Sequence, residues 1–169
     1  MQDWKKCYIF AIEIKTYYEM DNKTLLRYYT DNAHFALENP NPRAVDYKAV
    51  HWDTTDCTIR APALATRSTW LEAFDYLAAH ARQDYSNMED GHGFRRWVVA
   101  GGATWTNCPA LKGKKRMTAR EFAEKHPQGR YILTLANHEA ACVDGKIRDV
   151  WNCGEKCVVG YLDMSNFKY

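Results

Sequence analysis

The chain has no run approaching the roughly 18 consecutive apolar residues of a membrane span, so no transmembrane helix is expected. Its opening, MQDWKKCYIFAIEIK, lacks both a long apolar region and a small-residue cleavage site. This argues against an export signal and for a cytoplasmic location. An excess of one charge sign is also missing. With 23 Lys plus Arg against 21 Asp plus Glu, the formal charge of +2 is too small to gather nucleic acid or an anionic membrane. No internal repeat and no linker interrupts the 169 residues, so a single domain is expected over 1–169.

What is present is an ordinary globular composition. Hydrophobic residues make up 46% and charged residues 26%, which excludes intrinsic disorder as the default state. Six cysteines, at positions 7, 57, 108, 142, 153 and 157, read as free thiols, because a chain of this length can bury a core without cross-links.

Cys7 to Lys15 is rich in β-branched and aromatic residues and reads as a strand leading into a polar turn at Asp21-Asn22-Lys23. Thr24 to Glu38 fits a second strand or a helix, closed by the Asn-Pro-Asn-Pro run ending at Pro42. Residues 1–49 therefore read as a β-rich extension before a core at 50–165. In that core Asp56 is a candidate N-cap for a helix starting at Cys57 and interrupted at Pro62. Thr69-Trp-Leu-Glu72 and Thr118-Ala-Arg-Glu121 are capping boxes, each opening a helix, and Phe94 to Ala100 is a further helical stretch stopped by Gly101-Gly102. The basic run Lys112 to Arg116 reads as a solvated loop.

After Gly129 the period changes to that of strands. RYILTLA, EAACVD, KIRDVW and KCVVGYLDM are separated by Asn137-His138, Asp144-Gly145 and Asn152-Cys-Gly154, which predicts an antiparallel meander. Helices followed by a sheet give an α+β fold, with a nucleophile helix and further short helices packed on a C-terminal antiparallel sheet.

Chemistry concentrates at two points. A thiol attacks as thiolate, a form favoured by the partial positive charge and open N–H groups of a helix N-terminus, where Cys57 is expected. Its own N–H can stabilise the oxyanion of an acyl-transfer intermediate. Of the six histidines, His138 alone sits at the mouth of a predicted core strand, placed to serve as base. The residue that orients its ring is sought at the end of the returning strand, where Asp149 and Asn152 both stand. Asn152 is preferred, since it lies beside the shielding indole of Trp151.

The segments Asp56-Cys57-Thr-Ile-Arg60-Ala, Thr118 to Phe122, His126 to Ile132, His138, and Val143-Asp144-Gly145 to Asn152 together resemble a group of small papain-like proteins encoded mainly by bacteriophages and bacteria. The resemblance covers about residues 50 to 165. It implies a papain-like fold and a cysteine peptidase or amidase in the host cytoplasm, acting on a protein, peptide or amide substrate. Cys57 would be the nucleophile, His138 the general base and acid, and Asn152 or Asp149 the orienting residue. No cofactor is implied. Where the papain pattern carries a glutamine six residues before the nucleophile, this chain has His51, with Thr54 and Thr55 closer, so His51 and Thr55 are the oxyanion-hole candidates. Pro62 within the nucleophile helix is a second departure.

Two further functional classes follow from the same residues. The scaffold can act as a phage accessory or host-interaction module without hydrolysis, as the altered oxyanion region suggests. Alternatively, His138, Cys142, Cys153 and Cys157 offer spacings that a tetrahedral zinc accepts, giving a zinc-stabilised binding domain, although no pair of cysteines is separated by just two residues as in a zinc knuckle. Arg95-Arg96-Trp97 and the basic run are dispersed and match no recognition motif, so no nucleic-acid partner is expected.

Overall fold

The computed structural model describes residues 27, 29–43, 55–88, 90–110, 113 and 115–169. The expected strand at Cys7 to Lys15, the turn at Asp21 to Lys23, and His51 and Thr54 lie outside them. Among the described residues, four helices pack on a six-stranded mixed sheet. In chain order these elements are β1 (Phe35–Leu37), α1 (Cys57–Thr66), α2 (Trp70–Gln83), α3 (Gly91–Ala100), β2 (Thr104–Asn107), α4 (Ala119–Lys125), β3 (Arg130–Leu135), β4 (His138–Val143), β5 (Lys146–Asp149) and β6 (Gly160–Asp163). No helix among them is long and apolar enough to cross a membrane.

Local signals set the helix ends. At α2 the Thr69 hydroxyl accepts from the Glu72 N–H while the Glu72 carboxylate accepts from the Thr69 N–H, and Thr118 and Glu121 repeat this at α4. Each box satisfies two amide donors that a helix start otherwise leaves open. Asp90 caps α3 through the His92 N–H, so this helix begins three residues before the expected Phe94.

Pro62 does not interrupt α1, which runs unbroken from Cys57 to Thr66. The missing N–H leaves the helix short of one bond, but Pro62 itself is buried, and so are its neighbours from Thr58 to Ala65. Tertiary packing therefore outweighs the local cost of proline, about 3 kcal/mol in a helix interior. The helix ends at Arg67, which takes the left-handed conformation at φ 60°, while the Ser68 N–H reaches back to the Ala63 carbonyl.

The sheet departs from the expected all-antiparallel C-terminal meander. Its order is β1-β5-β4-β3-β6-β2. The β3-β4-β5 meander forms, with Asp144 and Gly145 both at positive φ in its second turn, as a tight hairpin requires. However, β6 pairs with β3 and not with β5, because β5 is already flanked on its other edge by β1 in parallel register. The segment Thr104–Asn107, not anticipated as a strand, pairs antiparallel with β6 and closes the far edge.

Alternation along β3 and β4 divides the core. Ile132, Ala141 and Leu162 join buried residues of α1, α2 and α3, including Ile59, Leu77, Phe94 and Val98. Leu133, Leu135, Ala140, Cys142 and Ile147 join Phe35, Phe122 of α4, and Cys153. A period of two thus sends successive side chains to different clusters. Each fully buried Leu, Ile or Phe contributes about 1.5–3 kcal/mol, and together these side chains hold α1 against β4, where the candidate site lies.

Candidate active site

Cys57 is the first residue of α1 and is partly exposed. The residue before it, Asp56, occupies the N-cap position but makes no side-chain cap bond. This corrects the expectation that Asp56 caps the helix. Its buried carboxylate is held elsewhere, accepting from Trp70 Nε1 at 2.7 Å, from Asn41 Nδ2 at 3.1 Å and from the Arg60 guanidinium. The Asp56 carbonyl takes the N–H groups of Ile59 and Arg60, both at 2.9 Å. The positive end of the helix at Cys57 is therefore not quenched by the neighbouring carboxylate.

His138 opens β4 immediately after the Ala136-Asn137 turn, in which Asn137 has φ 55°. Asn and Asp tolerate this left-handed conformation better than other non-glycine residues, which explains the turn residue there. The ring Nε2 forms a short ion-pair contact with Asp149 Oδ2, and the His138 side chain retains only 9% of its exposure.

Strand register explains why Asp149 and not Asn152 is the partner. Ala141 lies opposite Arg148 and Cys142 opposite Ile147. The ladder ends one residue before Asp149, and Asp149, the last residue of β5, reaches the His138 imidazole. The rings of His138 and Trp151 are 5.3 Å apart between centroids. Asn152 lies beyond the end of β5, past a bend at 150–151. Its amide donates to the Arg27 carbonyl at 3.2 Å and its oxygen accepts from the Gly154 N–H at 3.1 Å, so it turns the loop and does not meet the ring. The preference for Asn152 as orienting residue is thereby corrected.

The Cys57 and Cys153 thiols both lie near enough to the imidazole to help it hold its proton. Burial works against its positive charge, but the bonds to Asp149, Cys153 and Cys57 outweigh burial and raise the ring well above the usual histidine range. Asp149 is fully buried, and its second oxygen accepts from Arg60 Nη2 at 3.2 Å and from the Val150 N–H at 2.8 Å. Cys153, 1% exposed, donates its thiol to Asp149 Oδ2 at 3.7 Å, and burial pushes that thiol up to about 11. Two thiols thus share one imidazole, one at the surface and one sealed beneath it.

Thr55 is exposed and precedes the helix, and His51 lies outside the described residues. Cys142 and Cys157 do not join His138 and Cys153. Cys142 is buried further along β4, while Cys157 is exposed and points to the Arg116 carbonyl at 3.9 Å. The four-residue zinc set drawn from spacing is therefore not assembled. The three groups that do converge are His138, Asp149 and Cys153, with ligand atoms all within 4.8 Å of one another. All five described cysteines are free thiols.

Sequence reasoning missed Arg60. One signal for it was available, a lone cation among the apolar neighbours of Ile59-Arg60-Ala61-Pro62-Ala63-Leu64, four residues after Asp56. Such a residue is buried only if carboxylates meet it. No protein-family model, no curated protein and no solved structure matches this chain.

Proposed function

We propose that the protein is a thiol hydrolase of papain-like type that cleaves an amide or peptide bond, with Cys57 as nucleophile, His138 as general base and acid, and Asp149 as the orienting carboxylate. The observation that carries this reading is the contact of His138 Nε2 with Asp149 Oδ2, beside a Cys57 thiol at the start of α1 that helps the ring hold its proton. With Nε2 engaged, Nδ1 is the nitrogen left for proton exchange.

In the proposed reaction His138 already holds the proton given up by Cys57, and the sulfur attacks the substrate carbonyl carbon. The resulting oxyanion is met by the open N–H at the start of α1. Collapse breaks the carbon–nitrogen bond, and the amine leaves with the proton held by His138. Water then gives a proton to His138 and attacks the thioester, releasing the carboxylic acid and restoring the Cys57 sulfur beside the protonated ring. Cys153 takes no part as nucleophile, since burial keeps it protonated and out of reach.

Alkylation of the folded protein with iodoacetamide near neutral pH, with labelled peptides mapped, tests the reading. Cys57 is expected to react faster than Cys108 and the exposed Cys157, and Cys57→Ala is expected to abolish a hydroxylamine-labile acyl adduct. A Cys57 no faster than Cys157 removes the activated nucleophile and with it the proposal.

A further inference from the structure

We propose that His138, Asp149 and Cys153 form a zinc site that takes up the catalytic imidazole and carboxylate and so leaves the Cys57 thiol inactive. The argument starts from Cys153, which the hydrolase chemistry does not use. A buried thiol is ordinarily a small apolar residue. Here it points instead at a carboxylate oxygen and an imidazole, and the three ligand atoms of His138, Asp149 and Cys153 lie within 4.8 Å of one another.

Tetrahedral zinc holds thiolate sulfur at about 2.3 Å and imidazole nitrogen or carboxylate oxygen at about 2.0–2.2 Å, so its ligand atoms stand some 3–4 Å apart. Rotations of side chains already in contact bring the three groups to that spacing. The fourth position is left to water. One thiolate, one imidazole and one carboxylate combine soft and borderline donors that select zinc over calcium or magnesium.

The surroundings favour the ion. Arg60 and the Val150 N–H engage Asp149 through Oδ1, which leaves Oδ2 facing His138 and Cys153 as a single ligand oxygen. Outer partners that fix a ligating carboxylate in this way typically alter metal affinity 10–100-fold when removed. On binding, the Nε2 proton and the Cys153 thiol proton leave to solvent, and zinc becomes the counter-ion to Asp149. No redox change is involved. Metal binding stands on this cluster alone, whereas the inhibitory consequence rests on the hydrolase reading.

Cobalt(II), zinc and a chromophoric chelator test the site on the full chain after treatment with EDTA. Cobalt is expected to give a thiolate-to-metal charge-transfer band that saturates at one equivalent and is displaced by zinc. Cys153→Ala is expected to weaken zinc binding at least about tenfold while Cys57 in the metal-free variant still alkylates. Cys157→Ala should bind as the parent does. In the unsubstituted protein one equivalent of zinc should suppress alkylation of Cys57 and spare Cys157, so the answer does not depend on a variant that folds. Unchanged Cys57 alkylation with zinc, or a cobalt band that survives Cys153→Ala, overturns the proposal. A Cys57 that is unreactive even without metal sinks the hydrolase reading, while the cobalt spectrum still decides the metal site.

Discussion

The guanidinium of Arg60 lies between two buried carboxylates, those of Asp56 one helical turn before it and Asp149 at the end of β5, 89 residues later. It ties the start of the nucleophile helix to the strand that orients His138. Asp56 is secured in turn by Trp70 and Asn41, so three segments distant in sequence are locked around one cation.

Removing that cation leaves two buried charges without their partner. Arg60→Met is expected to lower stability by about 3–5 kcal/mol in urea unfolding, far more than loss of an exposed pair such as Arg67 with Asp144. Arg60→Lys should fall between the two, since a lysine cannot reach both carboxylates with a planar fork.

Asp149 and Asn152 are separated by a direct comparison. Asp149→Asn is expected to slow acylation of Cys57 by about 10²-fold or more, because the ring loses its fixed orientation and its charge partner. Asn152→Ala, which removes only loop hydrogen bonds, should change stability by about 0.5–1.5 kcal/mol and leave the Cys57 rate near its original value. Rates of Cys57 modification in the two variants check this, and the reverse order would reassign the orienting residue.

The His138 ring should stay protonated across the neutral range. Its value is raised from 6.5 to about 12, with burial opposing and the bonds to Asp149, Cys153 and Cys57 prevailing. A raised value means that the folded chain holds the proton more tightly than the unfolded one. The stabilisation is therefore fully present below pH 6.5 and is lost as pH rises toward the folded value. Ring nitrogen NMR is expected to show an imidazolium at about pH 8, and Asp149→Asn should bring its titration back toward the ordinary range.

Glu139 makes an opposite test on the same strand. Burial, the largest effect, raises its carboxyl to about 8, against the bond from Thr134 and the nearby charges of His138 and Arg95. The folded protein then holds a proton that the unfolded chain releases above pH 4.5, so stability falls between pH 4.5 and 8. Glu139→Gln keeps the acceptor for the Thr134 hydroxyl and carries no charge. It should be more stable than the parent at about pH 8 and nearly equal at about pH 4, as urea midpoints will show.

The Thr118 cap offers a check on the second half of the fold. Thr118→Ala removes the acceptor for the Glu121 N–H and should cost about 1 kcal/mol by urea unfolding. The expected change in Cys57 reactivity is none, because α4 does not contribute a side chain to the site.

Much of the molecule was legible because its signals are local. The capping boxes at Thr69 and Thr118, the Asp144-Gly145 turn and the alternation of Ile132, Leu133 and Leu135 each act within a few residues, and all stand where the pattern placed them. The strand Thr104–Asn107 was missed because it is largely exposed and, among the described residues, its only sheet partner is β6, more than fifty residues later. Pro62 misled for a related reason, since its local penalty says nothing about the packing that surrounds α1.

By itself the sequence determined that one helix begins at Cys57, that His138 opens a core strand, and that the chain mixes α and β elements. These follow from propensity, capping and periodicity, whose range is about one turn or one hairpin. Tertiary structure alone decided that Asp149 faces the imidazole while Asn152 turns away, that Arg60 joins two carboxylates, that Cys153 lies under the same ring, and that β6 returns to β3. Each of these depends on register between strands or on packing of a helix against the sheet, and a shift of one residue there reverses which side chains meet.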